Sequence, residues 1–266
     1  MATLTARVLP TPPLRSAGWR LVERNFLVYK RGWLVFLSGF LEPVFYLFSI
    51  GVGVSVLVGG FVLNGEHVPY TEFVAPAMLA SSAMNGAIFD STYNIFFRMK
   101  YAKLYDTVLA TPLRPWDVAT GEVTWALLRG GIYSTGFLLV MLAMGLVDSW
   151  FALLALPAAL LVGFAFAGVG MALTTFMRSW QDFEFVQLAI LPMFLFSATF
   201  YPLTAYPRPL QWVVEVTPLY RAVVLCRELV TGALSWGSLA SVAYLAAMGG
   251  IGLYVASGRL EKLLLK

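Results

Sequence analysis

Apolar and polar positions alternate along this chain on the scale of whole segments rather than single turns. A bilayer crossing needs about 20 apolar residues, and six stretches qualify: residues 35–60, 73–97, 118–146, 150–177, 185–201 and 236–257. The fifth is the shortest and carries Pro192, which removes a backbone donor and predicts a kink. Between the fifth and sixth lies a region, 202–232, with Pro202, Pro207, Pro209 and Pro218 and two apolar pieces too short to cross, 210–216 and 219–230. It reads as a re-entrant pair of half-helices dipping into one leaflet, a form tolerated at membrane depth when buried in protein.

Two polar segments break this pattern informatively. Ahead of the first span, Trp19, Val22, Phe26 and Trp33 fall on one helical face and Arg20, Arg24 and Arg31 on another. Such a helix lies in the headgroup plane, aromatic rings in the acyl boundary and arginines against anionic lipid. Residues 1–15, with Pro10, Pro12 and Pro13, read as a mobile tail.

The second segment, residues 98–110, is basic and amphipathic. Charges at the bilayer centre cost roughly 2.5–3.5 kcal/mol each, so Arg98, Lys100 and Lys103 stay outside the hydrocarbon. As a helix, Lys100, Lys103 and Thr107 form a polar stripe and Tyr101, Tyr105 and Val108 an apolar one, and Pro112 ends it. A short, firm helix held against the membrane is a handle for a soluble partner to push.

Composition settles the class: 59% of residues are hydrophobic and 12% charged, against about 45–50% and about 25% in soluble domains. The chain reads as one all-α membrane domain, residues 16–266, with no internal repeat. Lys and Arg cluster at both termini and in the 98–117 and 178–184 loops, whereas Arg208, Arg221 and Arg227 fall on the other side. That asymmetry predicts cytoplasmic termini, and the basic balance reflects topology rather than nucleic acid. No 7–15-residue apolar core marks a cleavable signal peptide in the first 30 residues. Cys226 and His67 are single, which leaves no intrachain disulfide and no cysteine- or histidine-rich metal site. The sequence holds no GxxxxGK[ST] phosphate loop, G-x-S-x-G elbow or H-E-x-x-H pair.

Several motifs carry a resemblance. Arg24-Asn25 followed by the first span, Leu41-Glu42-Pro43-Val44-Phe45-Tyr46-Leu47-Phe48, Met78-Leu79-Ala80-Ser81-Ser82-Ala83-Met84 and Phe97-Arg98-Met99 form one part of it. Leu109-Ala110-Thr111-Pro112-Leu113, Gly121-Glu122, Phe196-Ser197-Ala198-Thr199-Phe200-Tyr201-Pro202 and Thr217-Pro218-Leu219-Tyr220-Arg221 complete it. In this order they resemble ABC-2-type permeases, the membrane subunits of ATP-binding-cassette exporters, and within them the nodulation-factor (lipo-oligosaccharide) export subgroup. Antibiotic-export permeases are similar too. Ala198 stands where that family often has Gly, and Thr217 where it often has Asn.

The resemblance implies a permease dimer, each half bound to one cytoplasmic ATPase subunit that carries ATP and Mg; this chain itself needs no cofactor. It also implies that 98–110 is the coupling helix seated in a cleft on the ATPase. The 202–232 region would then be the extracellular re-entrant hairpin.

Individual polar residues leave alternatives open. Glu42, inside the first span, is a substrate or proton site, or a structural partner for an arginine. Asn85 and Asn94, with Asp90, line a path or bond between helices. Glu122 and Arg129 share a face of the third span and suit a structural ion pair. Asp182 and Glu184 make an ordinary turn or a second ATPase contact. Glu215, Arg221, Arg227 and Glu228 suit a gate held by ion pairs. Phe194, Phe196, Phe200 and Tyr201 belong to an interfacial belt, or stack against substrate at the exit.

Together these features point to a permease moving an amphiphile, whether glycolipid, lipo-oligosaccharide or lipophilic drug, since few charges line any span to replace an ion's hydration. An ion-coupled carrier would want repeats or midplane acid chains. An intramembrane lipid or glycan transferase would want paired acids or a metal motif. The chain offers none of these.

Overall fold

The computed structural model describes residues 17–30, 41, 44–63, 66–147 and 149–264. Tail residues 1–15, Arg31, Trp33, Glu42 and the opening of the predicted first span lie outside them.

Helix α1 (Ala17–Tyr29) is amphipathic as expected, but its faces are divided differently. Leu21, Val22 and Asn25 are buried, while Trp19 and Phe26 are exposed. Val22 therefore does not share the outward aromatic face; it packs inward. The cause is a glycine contact with the third predicted span: a Cβ on Gly121 would come within 2.6 Å of the Gly18 carbonyl oxygen. Two backbones that close turn the Gly18 face of the helix, with Leu21, Val22 and Asn25 three, four and seven positions on, toward protein.

Helix α2 (Val44–Val58) belongs to the first predicted span. An antiparallel hairpin follows, β1 (Gly60–Leu63) paired with β2 (Glu66–Pro69), with Gly60 opposite Pro69. The segment-scale pattern did not anticipate it. Phe61 caps the core there, its ring 5.1 Å from that of Phe73.

A long helix, α3 (residues 70–100), runs as Tyr70–Phe89, a widened π turn at Asp90–Asn94, and Ile95–Lys100. It forms the centre of the molecule: Phe73, Leu79, Met84 and Phe96 are almost inaccessible. The π turn breaks the regular backbone ladder, and Thr174 from a neighbouring helix donates to the Ser91 carbonyl at 2.9 Å. Gly170 makes room for that approach.

After a short helix α4 (Leu104–Leu109) come α5 (Pro115–Ala143) and α6 (Trp150–Thr174). Further on lie α7 (Phe183–Phe196), α8 (Arg208–Val216), α9 (Pro218–Thr231) and α10 (Trp236–Leu264). Among the described residues, α5, α6 and α10 are long and apolar enough to cross a membrane. α6 and α10 meet through glycines, where a Cβ on Gly252 would lie 2.5 Å from the Gly168 backbone. Small residues at a crossing let apolar helices gain close van der Waals contact without a hydrophobic driving force.

α7 is shorter than the predicted fifth span. Its 14 residues reach about 21 Å at 1.5 Å per residue. It ends because the Ser197 hydroxyl bonds back to the Met193 carbonyl and Ala198 turns to φ 53°. The proline-rich region does form two short helices, α8 and α9, each with proline in its first turn, and Gly232 at φ 78° stops the second.

Candidate coupling site

The basic segment is not one helix. α3 stops at Lys100, and the Tyr101 and Ala102 amides both donate to the Phe97 carbonyl. Lys103 then adopts φ 46°, and α4 begins at Leu104. This left-handed residue breaks the 3.6-residue register, so Tyr101, Tyr105 and Val108 do not form one face. Tyr101 is 61% exposed, Tyr105 is 0% exposed and Val108 is half-buried. The expectation that Tyr105 fills a cleft on a partner is therefore overturned. Its ring belongs to this chain's own core. Lys100, Lys103 and Asp106 remain outside.

What holds Tyr105 is Glu122, from the first turns of α5. The Tyr105 hydroxyl donates to Oε1 at 3.2 Å. Arg98 Nη1, near the end of α3, donates to Oε2 at 2.5 Å, and Asn25 Nδ2, from α1, reaches the same oxygen at 3.1 Å. Asn25 is 0% exposed and Glu122 3%. Burial and the neighbouring carboxylate both push the Tyr105 phenol pKa well up, so it stays a hydroxyl donor. One carboxylate thus joins the amphipathic helix, the end of α3, the short helix α4 and the start of α5. Removing one member of a buried pair costs roughly 3–5 kcal/mol, because the other charge is left uncompensated.

A second polar layer lies deeper. Arg129 of α5 pairs with Asp90 of the π turn at 3.0 Å. Asn94 donates to Asp90 at 2.7 Å, and the guanidinium sits 5.6 Å from the Tyr29 ring centroid. Glu122 and Arg129 share a helix face as read, but they do not pair with each other: each takes a partner from α3. Asn94 is engaged in this layer, whereas Asn85 is exposed on the other side of α3, so the two do not line one path.

In the 178–184 turn, Asp182 accepts from the Arg178 amide at 2.7 Å and the Ser179 amide at 3.1 Å. These backbone donors lower its pKa. Its carboxylate is used by the turn, and Glu184 is left exposed.

At the opposite end the proposed ion-pair gate is absent among the described residues. Arg227 instead lies 3.8 Å from the Phe73 ring centroid and donates to the Phe73 and Ala198 carbonyls at 3.2 and 3.1 Å. Glu228 accepts from Ser235 and Ser238. Glu215 and Arg221 are half-buried. Phe200 is buried edge-on against Phe194 at 5.3 Å, while Phe196 and Tyr201 remain over 40% exposed.

Residues 17–231 match the ABC-2 type transporter family. This chain belongs to that family. The chain is also similar to nodulation protein J of Rhizobium leguminosarum bv. viciae, 35% identical over 226 residues, covering 84% of this chain and 85% of that protein. The protein of the same name from R. leguminosarum bv. trifolii is 36% identical over 224 residues, 83% and 84% of the two chains. That from Sinorhizobium fredii is 31% identical over 263 residues, 98% of each. The chain is thus a membrane transport subunit. The motifs Arg24-Asn25, Phe97-Arg98 and Gly121-Glu122, which carried the resemblance separately in sequence, meet at one point in space.

Sequence reasoning missed Asn25 and the inward role of Tyr105. The signal for Asn25 was present: it lies four residues after Leu21, on what proves to be the packed face of α1. A polar residue there needs a buried acceptor.

Proposed function

We propose that this chain is the permease subunit of an ATP-driven exporter in a bacterial inner membrane, carrying an amphiphile such as a glycolipid, lipo-oligosaccharide or lipophilic drug outward. A separate ATPase subunit, holding ATP and Mg, supplies the energy, and two permease copies combine with two ATPase subunits. The chain crosses six times with both termini cytoplasmic, and α8–α9 form the re-entrant hairpin at the outer side.

One observation carries the coupling part of this reading: the Glu122 carboxylate ties the exposed 100–110 segment to α1, α3 and α5 at once. A push on that segment is delivered to three helices through buried hydrogen bonds to one carboxylate rather than absorbed by a loose loop. The resemblance to the lipo-oligosaccharide export subgroup supports a saccharide-bearing lipid as cargo, and the sparsely charged spans support an apolar tail.

Composition of the complex tests the reading. Purified alone, the chain should turn over no ATP; co-expressed with its ATPase it should purify with two ATPase subunits for two permeases. Substantial hydrolysis by the isolated chain would overturn the assignment.

A further inference from the structure

At the cytoplasmic level of the proposed topology, α1 and the start of α5 enclose a groove of about 350 Å³, lined by Gly18, Trp19, Val22, Trp116, Asp117, Thr120, Gly121 and Thr124. Its volume lies in the range of small-ligand sites. Trp19 and Trp116, one from each helix, are 52% and 48% exposed. The backbone contact of Gly18 with Gly121 fixes the two helices against each other at the groove.

The lining states what the groove suits. Among the described lining residues there is no lysine or arginine, and the sole charge is the Asp117 carboxylate, so the lining itself repels a phosphate or carboxylate head rather than pairing with it. Asp117 Oδ2 already accepts from the Arg114 amide at 2.9 Å, which holds the carboxyl in place and leaves Oδ1 as an acceptor. The Thr120 and Thr124 hydroxyls donate to backbone carbonyls, so their oxygen lone pairs are open to donors. Acceptors beside two half-exposed tryptophans match a pyranose, whose hydroxyls donate while its apolar ring face packs on an aromatic surface.

We propose that this groove binds the neutral saccharide head of an amphiphilic substrate before translocation, with Trp116 and Trp19 as stacking surfaces and Asp117 as hydroxyl acceptor. The substrate's acyl chain stays in the adjoining leaflet, so the head is captured where lipid, α1 and α5 meet. This deepens the export reading and rests on it for the cargo class, but binding is separable from transport.

The test is equilibrium binding of tetra-N-acetylchitotetraose, a neutral β-linked oligosaccharide, to the full chain in phosphatidylcholine nanodiscs, with glycerol phosphate as competitor. Binding should be weakened at least about tenfold by Trp116→Ala, the loss of one aromatic anchor. Trp116→Phe should retain most of it, and Trp150→Ala, an exposed tryptophan elsewhere, should leave it unchanged. Equal binding by wild type and Trp116→Ala, no binding by wild type, or displacement by glycerol phosphate each overturns the groove assignment. The export reading fails separately, if wild type reconstituted with its ATPase moves no glycolipid.

Discussion

The Tyr105 hydroxyl donates to the Glu122 carboxylate at 3.2 Å from a fully buried position. Through this bond the short helix α4 is anchored to α5 from within. The surface left for a partner is the turn before α4, with Lys100, Tyr101 and Lys103 exposed.

Two tyrosines four residues apart should therefore behave differently. Tyr105→Ala should destabilise the permease by about 3–5 kcal/mol, as expected of a buried aromatic replaced by a cavity, and lower its yield. Tyr105→Phe keeps the ring and should cost about 0.5–1.5 kcal/mol, one hydrogen bond. Tyr101→Ala should leave stability unchanged and weaken ATPase co-purification. Thermal unfolding in detergent with pull-down of the ATPase separates these effects; a stable Tyr105→Ala would contradict the placement of that ring.

Position 198 explains one departure from the family pattern. Ala198 is buried at φ 53°, a conformation that costs an L-residue roughly 1–2 kcal/mol and glycine nothing. The turn places its carbonyl against Arg227. Ala198→Gly should be neutral to within about 1 kcal/mol, lost methyl burial offsetting relieved strain. Ala198→Val should be much worse, because a β-branched residue is a genuine outlier at positive φ. Thermal melts of the two variants check this; a benign Ala198→Val would contradict the turn.

Cys226 is fully buried, which gives a clean background for thiol labelling. In intact cells a membrane-impermeant maleimide should label Tyr206→Cys and should miss Thr111→Cys until the membrane is opened. External labelling at 111 would invert the proposed orientation and remove the segment from reach of a cytoplasmic ATPase.

Segment-scale hydropathy made the long helices legible, because twenty consecutive apolar residues answer to bilayer thickness alone. The two short helices at 208–231 were legible for a related reason: prolines bracket pieces too short to cross. The hairpin at 60–69 was not, since a two-stranded ribbon leaves little mark when both strands are brief and mixed in character. The coupling segment misled because periodicity assumes one unbroken helix, and Lys103 at φ 46° breaks it. Arg98 and Glu122 stood out as charges, whereas Asn25 was only part of a motif with no role assigned to it. Their convergence needed the fold, because residues 97 positions apart become neighbours only once Gly18 and Gly121 let α1 dock on α5.

The central claim, that force from a partner ATPase passes through the Glu122 junction, is tested most directly by ATP-driven glycolipid translocation in proteoliposomes holding the permease and its ATPase. Glu122→Gln keeps the side chain's shape and one acceptor oxygen but removes the charge that holds Arg98. The account predicts that this variant still assembles with the ATPase and still hydrolyses ATP, while substrate moved per ATP falls at least about tenfold. Transport at the wild-type ratio by Glu122→Gln would show that the junction is structural only, and would contradict the coupling route.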